Sequence, residues 1–202
     1  MIAKYRSLVN GGLGSTDGAL IFDESGFVKK GKDSTGAARQ YCGNLGKTDN
    51  CQTGVFAACV SEHGYALADK RLFIPEKWFN DDYSERRIKC KLPADTVFQT
   101  KPRLAAEMME AVCKENVLPF KYILAGSLYG NSPEFIASAE ALPGKTYFAA
   151  VPKGTQPWLK RPMTIAKTYC RVGKTRTKAV LADTGGKPVS ADQLARNISG
   201  YF

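Results

Sequence analysis

The sequence predicts an α/β protein with a mixed β-sheet and flanking helices, followed by a basic C-terminal extension. Four apolar residues and then an acid, at positions 19–23, are typical of a buried central strand that carries Asp23 to the end of the sheet. Residues 53–60 and 65–74 predict two further strands joined by a hairpin turn. Beyond Pro119 a strand, a helix and a strand with short connections predict parallel pairing.

The elements follow in the order β-β-β-α-β-α-β, with the first three strands antiparallel and the later ones parallel. The first helix begins at Thr100, a suitable N-cap, with Pro102 in its first turn. Its apolar residues recur at helical spacing and predict a core-facing stripe of Leu104, Ala105, Met108, Met109, Val112 and Cys113. Residues 132–141 predict the second helix, between strands at 120–130 and 146–151.

The composition is that of a folded globular protein with an excess of positive charge. Of 202 residues, 44% are hydrophobic and 24% charged, so wholesale disorder is not expected. The formal net charge is +10 and the pI is near 9.3, which favours a polyanionic partner, nucleic acid ahead of a membrane surface. No apolar run has the length that crosses a bilayer, so no membrane partner is predicted.

The cysteines predict neither a zinc site nor a redox motif. None of the six has C-x-x-C spacing, and His63 is the only histidine that could complete a Cys/His cluster. The N-terminus also lacks the apolar core of a signal peptide. Reduced thiols in a cytoplasmic protein are therefore expected.

The chain divides by composition into three parts. Residues 1–18 contain four glycines and are interpreted as a flexible lead-in, since the strand and the Gly-Lys-Ser/Thr ending of a phosphate-binding loop are missing. Residues 19–152 form the predicted α/β core. Residues 153–202 form a basic extension or insertion.

Two basic regions are candidates for contact with nucleic acid. The first follows strand one and holds Lys29, Lys30, Lys32 and Arg39; it is either a solvated loop or a phosphate-contacting surface beside Asp23. The second, residues 153–178, has no Asp or Glu and places aromatic residues between its cations, which suits nucleic acid but also fits a solvated hairpin. Its candidate DNA-binding residues are Lys160, Arg161, Lys174, Arg176 and Lys178.

Several blocks of sequence resemble bacterial insertion-sequence transposases of the DDE type. They are GALIFDESGFVKKG at 18–31, GAARQYCGNLGK at 36–47, AGSLYGNSPEF at 125–135, WLKRP at 158–162 and GKTRTK at 173–178. The resemblance implies a ribonuclease H-like fold and transposon ends as the DNA partner, with another transposase subunit as a second candidate partner. It also implies two Mg²⁺ or Mn²⁺ ions, held by three carboxylates, that activate water or a 3′-hydroxyl for attack on a phosphodiester.

Mapped by motif, Asp23 matches the family's first acid and metal ligand, and Gly126 occupies the position of the second. The third, a glutamate, is expected beyond the basic segment and is not reached, and a helical end-binding region is expected ahead of Met1. Glu24 should face the opposite side of the sheet from Asp23. Whether Asp69 or Asp183 folds within reach is open. The sequence thus predicts a truncated transposase catalytic domain, inactive as written.

The sequence leaves three questions open: the role of Asp23, the activity of the chain, and whether it is an unrelated α/β enzyme. Asp23 is either a metal-holding acid or an ordinary exposed acid at a strand end. The chain is either a fragment with the lineage function of DNA cleavage and strand transfer, or a non-catalytic remnant that binds transposon DNA or an intact transposase. An unrelated α/β enzyme would need a pocket of paired titratable groups, which the sequence does not display.

Overall fold

A computed structural model describes residues 2–171, 174–182 and 187–197, with the side chains of Arg171 and Lys174 outside the description. The chain forms two compact units, residues 1–150 and 151–202. The helices and strands of the first unit, in chain order, are α1 Ile2–Leu13, β1 Ala19–Val28, β2 Ala38–Cys42, β3 Lys47–Ser61, β4 Gly64–Phe73, α2 Ser84–Lys89, α3 Lys101–Glu115, β5 Tyr122–Ala125, α4 Ser127–Gly130, α5 Pro133–Glu140 and β6 Thr146–Ala149.

The first unit contains a six-stranded mixed sheet, which confirms the predicted sheet type. β3 pairs antiparallel with β1 along one edge and with β2 and β4 along the other. β1 then pairs parallel with β5, and β5 pairs parallel with β6. Antiparallel strands followed by parallel ones, with helices packed on the sheet, are compatible with a ribonuclease H-like fold.

The core lies between the sheet and the helices. Side chains alternate along β1, so Leu20 and Phe22 are fully buried while Asp23, the residue after Phe22, is exposed. The Phe22 ring packs edge-to-face on Phe135 of α5, with 5.6 Å between centroids. The predicted stripe of α3 is buried except for Cys113, which is partly buried, and Thr100 Oγ1 caps the helix by accepting the Arg103 N–H at 3.2 Å.

The first strand is longer than predicted, because Gly26 lies within the strand and does not form a turn. β1 continues five residues beyond Asp23 to Val28, with Gly26 opposite Thr53 of β3. A Cβ at position 26 would lie 2.8 Å from Cys42 Sγ, so the glycine permits close approach of β2. Residues 29–50, which contain the first basic region and are interpreted from the sequence as a solvated loop or a phosphate-contacting surface, accordingly include β2 and the start of β3.

The prediction of a flexible lead-in was wrong for residues 2–13, which form α1. Its glycines disfavour an isolated helix, but Arg6 anchors α1 to β4. Arg6 is 1% exposed; its Nη2 donates to Asp69 Oδ2 at 2.6 Å, and its Nε donates to the Ala68 carbonyl at 3.2 Å. Arg6 Nη1 also lies 2.6 Å from Glu115 Oε2, an ion-pair contact rather than an aligned hydrogen bond.

A β-bulge turns Asp69 toward Arg6. The register between β3 and β4 shifts between Ala57, which faces Asp69, and Ala58, which faces Leu67, so Ala68 is the extra residue. Ala68 and Asp69 are both buried as a result, and Asp69 also accepts a hydrogen bond from Arg71 Nη1 at 2.6 Å.

The second unit contains a two-stranded antiparallel ribbon and a short helix. The ribbon consists of β7 Thr164–Arg171 and β8 Lys174–Leu181, and the helix is α6 Ala191–Asn197. The Ala191 N–H donates to the Thr155 carbonyl at 2.8 Å, which joins the start of α6 to the start of the unit. No helix in the described parts of the chain combines the length and apolar character that crossing a bilayer requires.

Replacing Arg6 should destabilise the first unit. Arg6→Met leaves the buried Asp69 with Arg71 as its remaining side-chain partner, and removing one member of such a pair costs about 3 kcal/mol of unfolding free energy. Urea unfolding followed by circular dichroism measures the loss. Lys4→Met, an exposed charge on the same helix, is the control. Equal stability of the two variants would show that the buried pair does not anchor α1.

Candidate nucleic-acid-processing site

Asp23 lies where the parallel part of the sheet ends. The last pair between β1 and β5 is Phe22 with Ala125, so Asp23 is the first residue of β1 beyond the end of β5. Its carboxylate is exposed, and Oδ1 accepts the N–H of Glu24 at 2.9 Å. Carboxyl ends of parallel strands are where α/β proteins place ligand-binding groups.

Gly126 lies next to Asp23. It follows β5 and is the N-cap residue of α4, with extended backbone angles of φ −68° and ψ 175°. A Cβ built at position 126 would be 3.9 Å from Asp23 Oδ1; chain neighbours aside, no other described heavy atom lies within 4 Å of it. A side chain at this position would therefore lie beside the Asp23 carboxylate.

Glu24 faces the helices, as strand alternation predicts, and it connects three elements. Tyr129 Oη of α4 donates to Glu24 Oε2 at 2.9 Å, and Lys101 Nζ of α3 donates to Oε1 at 3.0 Å. Burial, and then the neighbouring Glu24 carboxylate, raise the pKa of the Tyr129 hydroxyl well above its usual value. The hydroxyl is thus a permanent donor that fixes α4, and with it position 126, against β1.

The other acids considered from the sequence do not complete a metal site. Asp69 pairs with Ala57, which pairs with Phe22, so it lies on the helix-covered face and not on the face of Asp23. Its carboxylate already binds Arg6 and Arg71. Asp183 lies outside the described residues. Across the described ranges no three His, Cys, Asp or Glu side chains form a group that could hold a metal ion.

The donor set near Asp23 therefore does not fit two divalent metal ions. Two such ions close together require several carboxylates to hold them and to offset their charge. At this point of the sheet Asp23 supplies one carboxylate, and Gly126 has no side chain to supply a second.

The first basic region is not beside Asp23, contrary to the expectation from the sequence. Lys29 is six positions further along an extended chain, about 20 Å away at 3.3 Å per residue. Lys30 and Lys32 lie exposed beyond it, and Arg39 is exposed on β2. These four residues lie at the C-terminal end of β1 or on β2, whereas Gly126 lies beside Asp23 in the middle of β1.

The second basic region belongs to the second unit. Lys160 and Arg161 are exposed in the segment before β7, and Arg176 and Lys178 are exposed on β8. Lys174 begins β8, but its side chain is outside the described residues. Lys167 belongs to the same acid-free basic segment but is not among the candidate residues predicted from the sequence. The strand register adds it, because it lies on β7 opposite Lys178.

Comparison with known proteins decides the family. Residues 6–199 match the family described as DDE superfamily endonuclease. The chain belongs to this family. It is also 36% identical over 113 residues to the probable transposase for insertion sequence element IS701 of Microchaete diplosiphon. That match covers 56% of this chain and 26% of the relative, so the chain spans about a quarter of the length of the curated relative. No solved structure gives a significant match.

Removing the Tyr129 hydroxyl should loosen α4. Tyr129→Phe leaves Glu24 Oε2 without this donor, and an unsatisfied, largely buried acceptor costs about 1–3 kcal/mol of unfolding free energy. Urea unfolding at neutral pH measures the loss. Tyr65→Phe, whose ring is 82% exposed, is the control for removing a hydroxyl. A Tyr129→Phe protein as stable as Tyr65→Phe would contradict the role of this bond.

The raised pKa of Tyr129 also predicts a pH dependence. The unfolded tyrosine releases its proton near pH 10, about its ordinary pKa, while the folded one keeps it. The stabilisation is therefore complete below that pH and declines as the pH rises above it. The stability difference between wild type and Tyr129→Phe should shrink when the unfolding curves are repeated at increasingly alkaline pH. A constant difference would contradict the prediction.

Proposed function

We propose that this chain is a catalytic-domain portion of a DDE-type insertion-sequence transposase with a ribonuclease H-like core. The lineage function is metal-dependent DNA cleavage and strand transfer in DNA transposition. Membership in the DDE superfamily endonuclease family and the mixed sheet both support this proposal. Within this reading, residues 19–152 are the core, residues 153–202 are a basic extension or insertion, and the protein acts on DNA in the cytoplasm.

One observation carries the assignment of the site. Position 126, which corresponds to the family's second acid, faces the carboxylate of Asp23, which corresponds to the first. Two residues 103 positions apart in sequence are neighbours because β1 and β5 pair in parallel, ending at Phe22 and Ala125. This adjacency is what two acids sharing divalent metal ions require.

The same observation supports catalytic inactivity of the chain as written. With glycine at position 126, Asp23 is the one carboxylate of the proposed pair, and a single carboxylate does not hold two Mg²⁺ or Mn²⁺ ions. The purified chain should therefore fail to nick supercoiled plasmid DNA in the presence of either metal. Metal-dependent nicking by the wild-type chain that Asp23→Asn abolishes would contradict this proposal.

Restoring the acid should restore metal binding. Gly126→Asp places a carboxylate beside Asp23 on an extended backbone that any residue accepts, and aspartate is a favoured N-cap residue. We expect at least about tenfold tighter binding of Mn²⁺ than in wild type, because two carboxylates then share the ion. Titration calorimetry and the Mn²⁺ electron paramagnetic resonance signal measure it.

Gly126→Asn is the matched control, since it has the size of aspartate without the charge. The double variant Asp23→Asn with Gly126→Asp should lose the gained affinity if the two carboxylates share one ion. A Gly126→Asp protein that folds like wild type and binds Mn²⁺ no better would refute the assignment of position 126.

A second candidate function is DNA binding without catalysis, either to transposon ends or in complex with an intact transposase subunit. Residues 151–182 contain no acid, and Lys160, Arg161, Arg176 and Lys178 are exposed there. Phosphate contacts of this kind need no metal ion. The two candidates are compatible, since the second describes what remains when the chemistry is lost.

Duplex DNA should therefore bind the wild-type chain in the presence of EDTA. Fluorescence anisotropy should show an affinity that falls linearly on logarithmic axes as salt rises from about 50 to 200 mM. The triple variant Lys174→Gln, Arg176→Gln, Lys178→Gln should bind more weakly and with a shallower salt dependence. Absence of metal-independent binding at the lowest salt would refute this second function.

A further inference from the structure

The ribbon of β7 and β8 has two chemically different faces. Directly opposed residues of an antiparallel pair point to the same side, and successive pairs alternate. The pairs Lys167–Lys178 and Tyr169–Arg176 therefore share one side, and the pair Thr168–Thr177 lies on the other. The basic face is Lys167, Tyr169, Arg176 and Lys178; the hydroxyl face is Thr168, Cys170, Thr175 and Thr177.

Side-chain contacts agree with this division. On the hydroxyl face Thr168 Oγ1 is 3.3 Å from Thr177 Oγ1, and Cys170 Sγ is 3.4 Å from Thr175 Oγ1. On the basic face Lys167 Nζ lies 5.9 Å from the centroid of the Tyr169 ring. The members of both faces are exposed.

The basic face concentrates positive charge that the ribbon does not neutralise. Lys167 and Lys178 oppose each other directly, an arrangement that destabilises a strand pair. Residues 151–182 contain no Asp or Glu, so no acid of the ribbon or its approach segment offsets this charge. A polyanion laid along this face would offset it, which gives the arrangement a physical reason.

We propose that the basic face of the ribbon is the surface on which the second unit binds the sugar-phosphate backbone of duplex DNA. Lys167, Arg176 and Lys178 contact phosphates, and Tyr169 packs against the sugars between them. The major groove of B-DNA admits a two-stranded ribbon, so the basic face of such a ribbon can contact the phosphates at the edge of the groove. The hydroxyl face points away from the DNA. This inference rests on the DNA-binding function proposed above.

The test compares two variants of equal net charge. Lys167→Gln with Lys178→Gln removes two charges from the basic face. Lys153→Gln with Lys187→Gln removes two exposed charges from the same unit outside the ribbon. Binding of fluorescein-labelled duplex DNA of arbitrary sequence is measured by anisotropy in EDTA as a function of salt.

The basic-face variant should bind at least about tenfold more weakly at low salt, because two phosphate contacts are lost. Its plot of log affinity against log salt should be shallower by about 1.8, at about 0.9 per phosphate. The control variant should change this slope by well under half as much. Thr168→Val with Thr177→Val, which alters only the hydroxyl face, should bind like wild type.

The outcomes separately test the face assignment, the DNA-binding function and the identity of the ligand. If the wild-type chain binds DNA but the basic-face and control variants weaken equally, the face assignment is overturned and the DNA-binding function stands. If the wild-type chain does not bind DNA at low salt, the proposed DNA-binding function fails as well. Binding to phosphatidylserine vesicles in preference to DNA, lost in the basic-face variant, would overturn DNA as the occupant. Circular dichroism of all variants verifies that the unit is folded.

Discussion

The parallel pairing of β1 with β5 is the constraint on which the candidate site depends. The pairing ends at Phe22 and Ala125, which are followed by Asp23 and Gly126, respectively. β5 has four residues, so this pairing alone gives little rigidity. Its position is secured by β3 along the other edge of β1 and by the Tyr129–Glu24 hydrogen bond that ties α4 to β1.

Glu24 shows how neighbouring acids in one strand acquire different roles. Asp23 points to the exposed face and Glu24 to the helices, so the two carboxylates serve different partners. Glu24 accepts hydrogen bonds from a tyrosine hydroxyl and a lysine ammonium, and these bonds offset the cost of its partial burial. It is a positioning residue for the candidate site, because it holds α4, the helix whose N-cap residue is Gly126.

Sequence periodicity and capping residues correctly predicted the elements that are determined by nearby residues. The apolar stripe of α3, the strands at 53–60 and 65–74, and the mixed sheet were readable, since their periodicity and capping agree with their burial. The extent of β1, the helix α1 and the bulge at Ala68 were not. Each depends on a distant partner, respectively Cys42 against Gly26, Asp69 against Arg6, and β3 against β4. Motif position placed Asp23 and Gly126 together, but the first basic region lies farther from Asp23 than expected, because β1 continues to Val28.

The backbone at Gly126 has a consequence for the evolution of this lineage. Position 126 can accommodate a larger residue. Its backbone is extended, it is the N-cap of α4, and the space toward Asp23 is open. Every glycine codon is a single base change from a codon for aspartate or glutamate. If position 126 is the second acid position, as proposed above, a single base change at this codon would supply that carboxylate on the backbone as it stands.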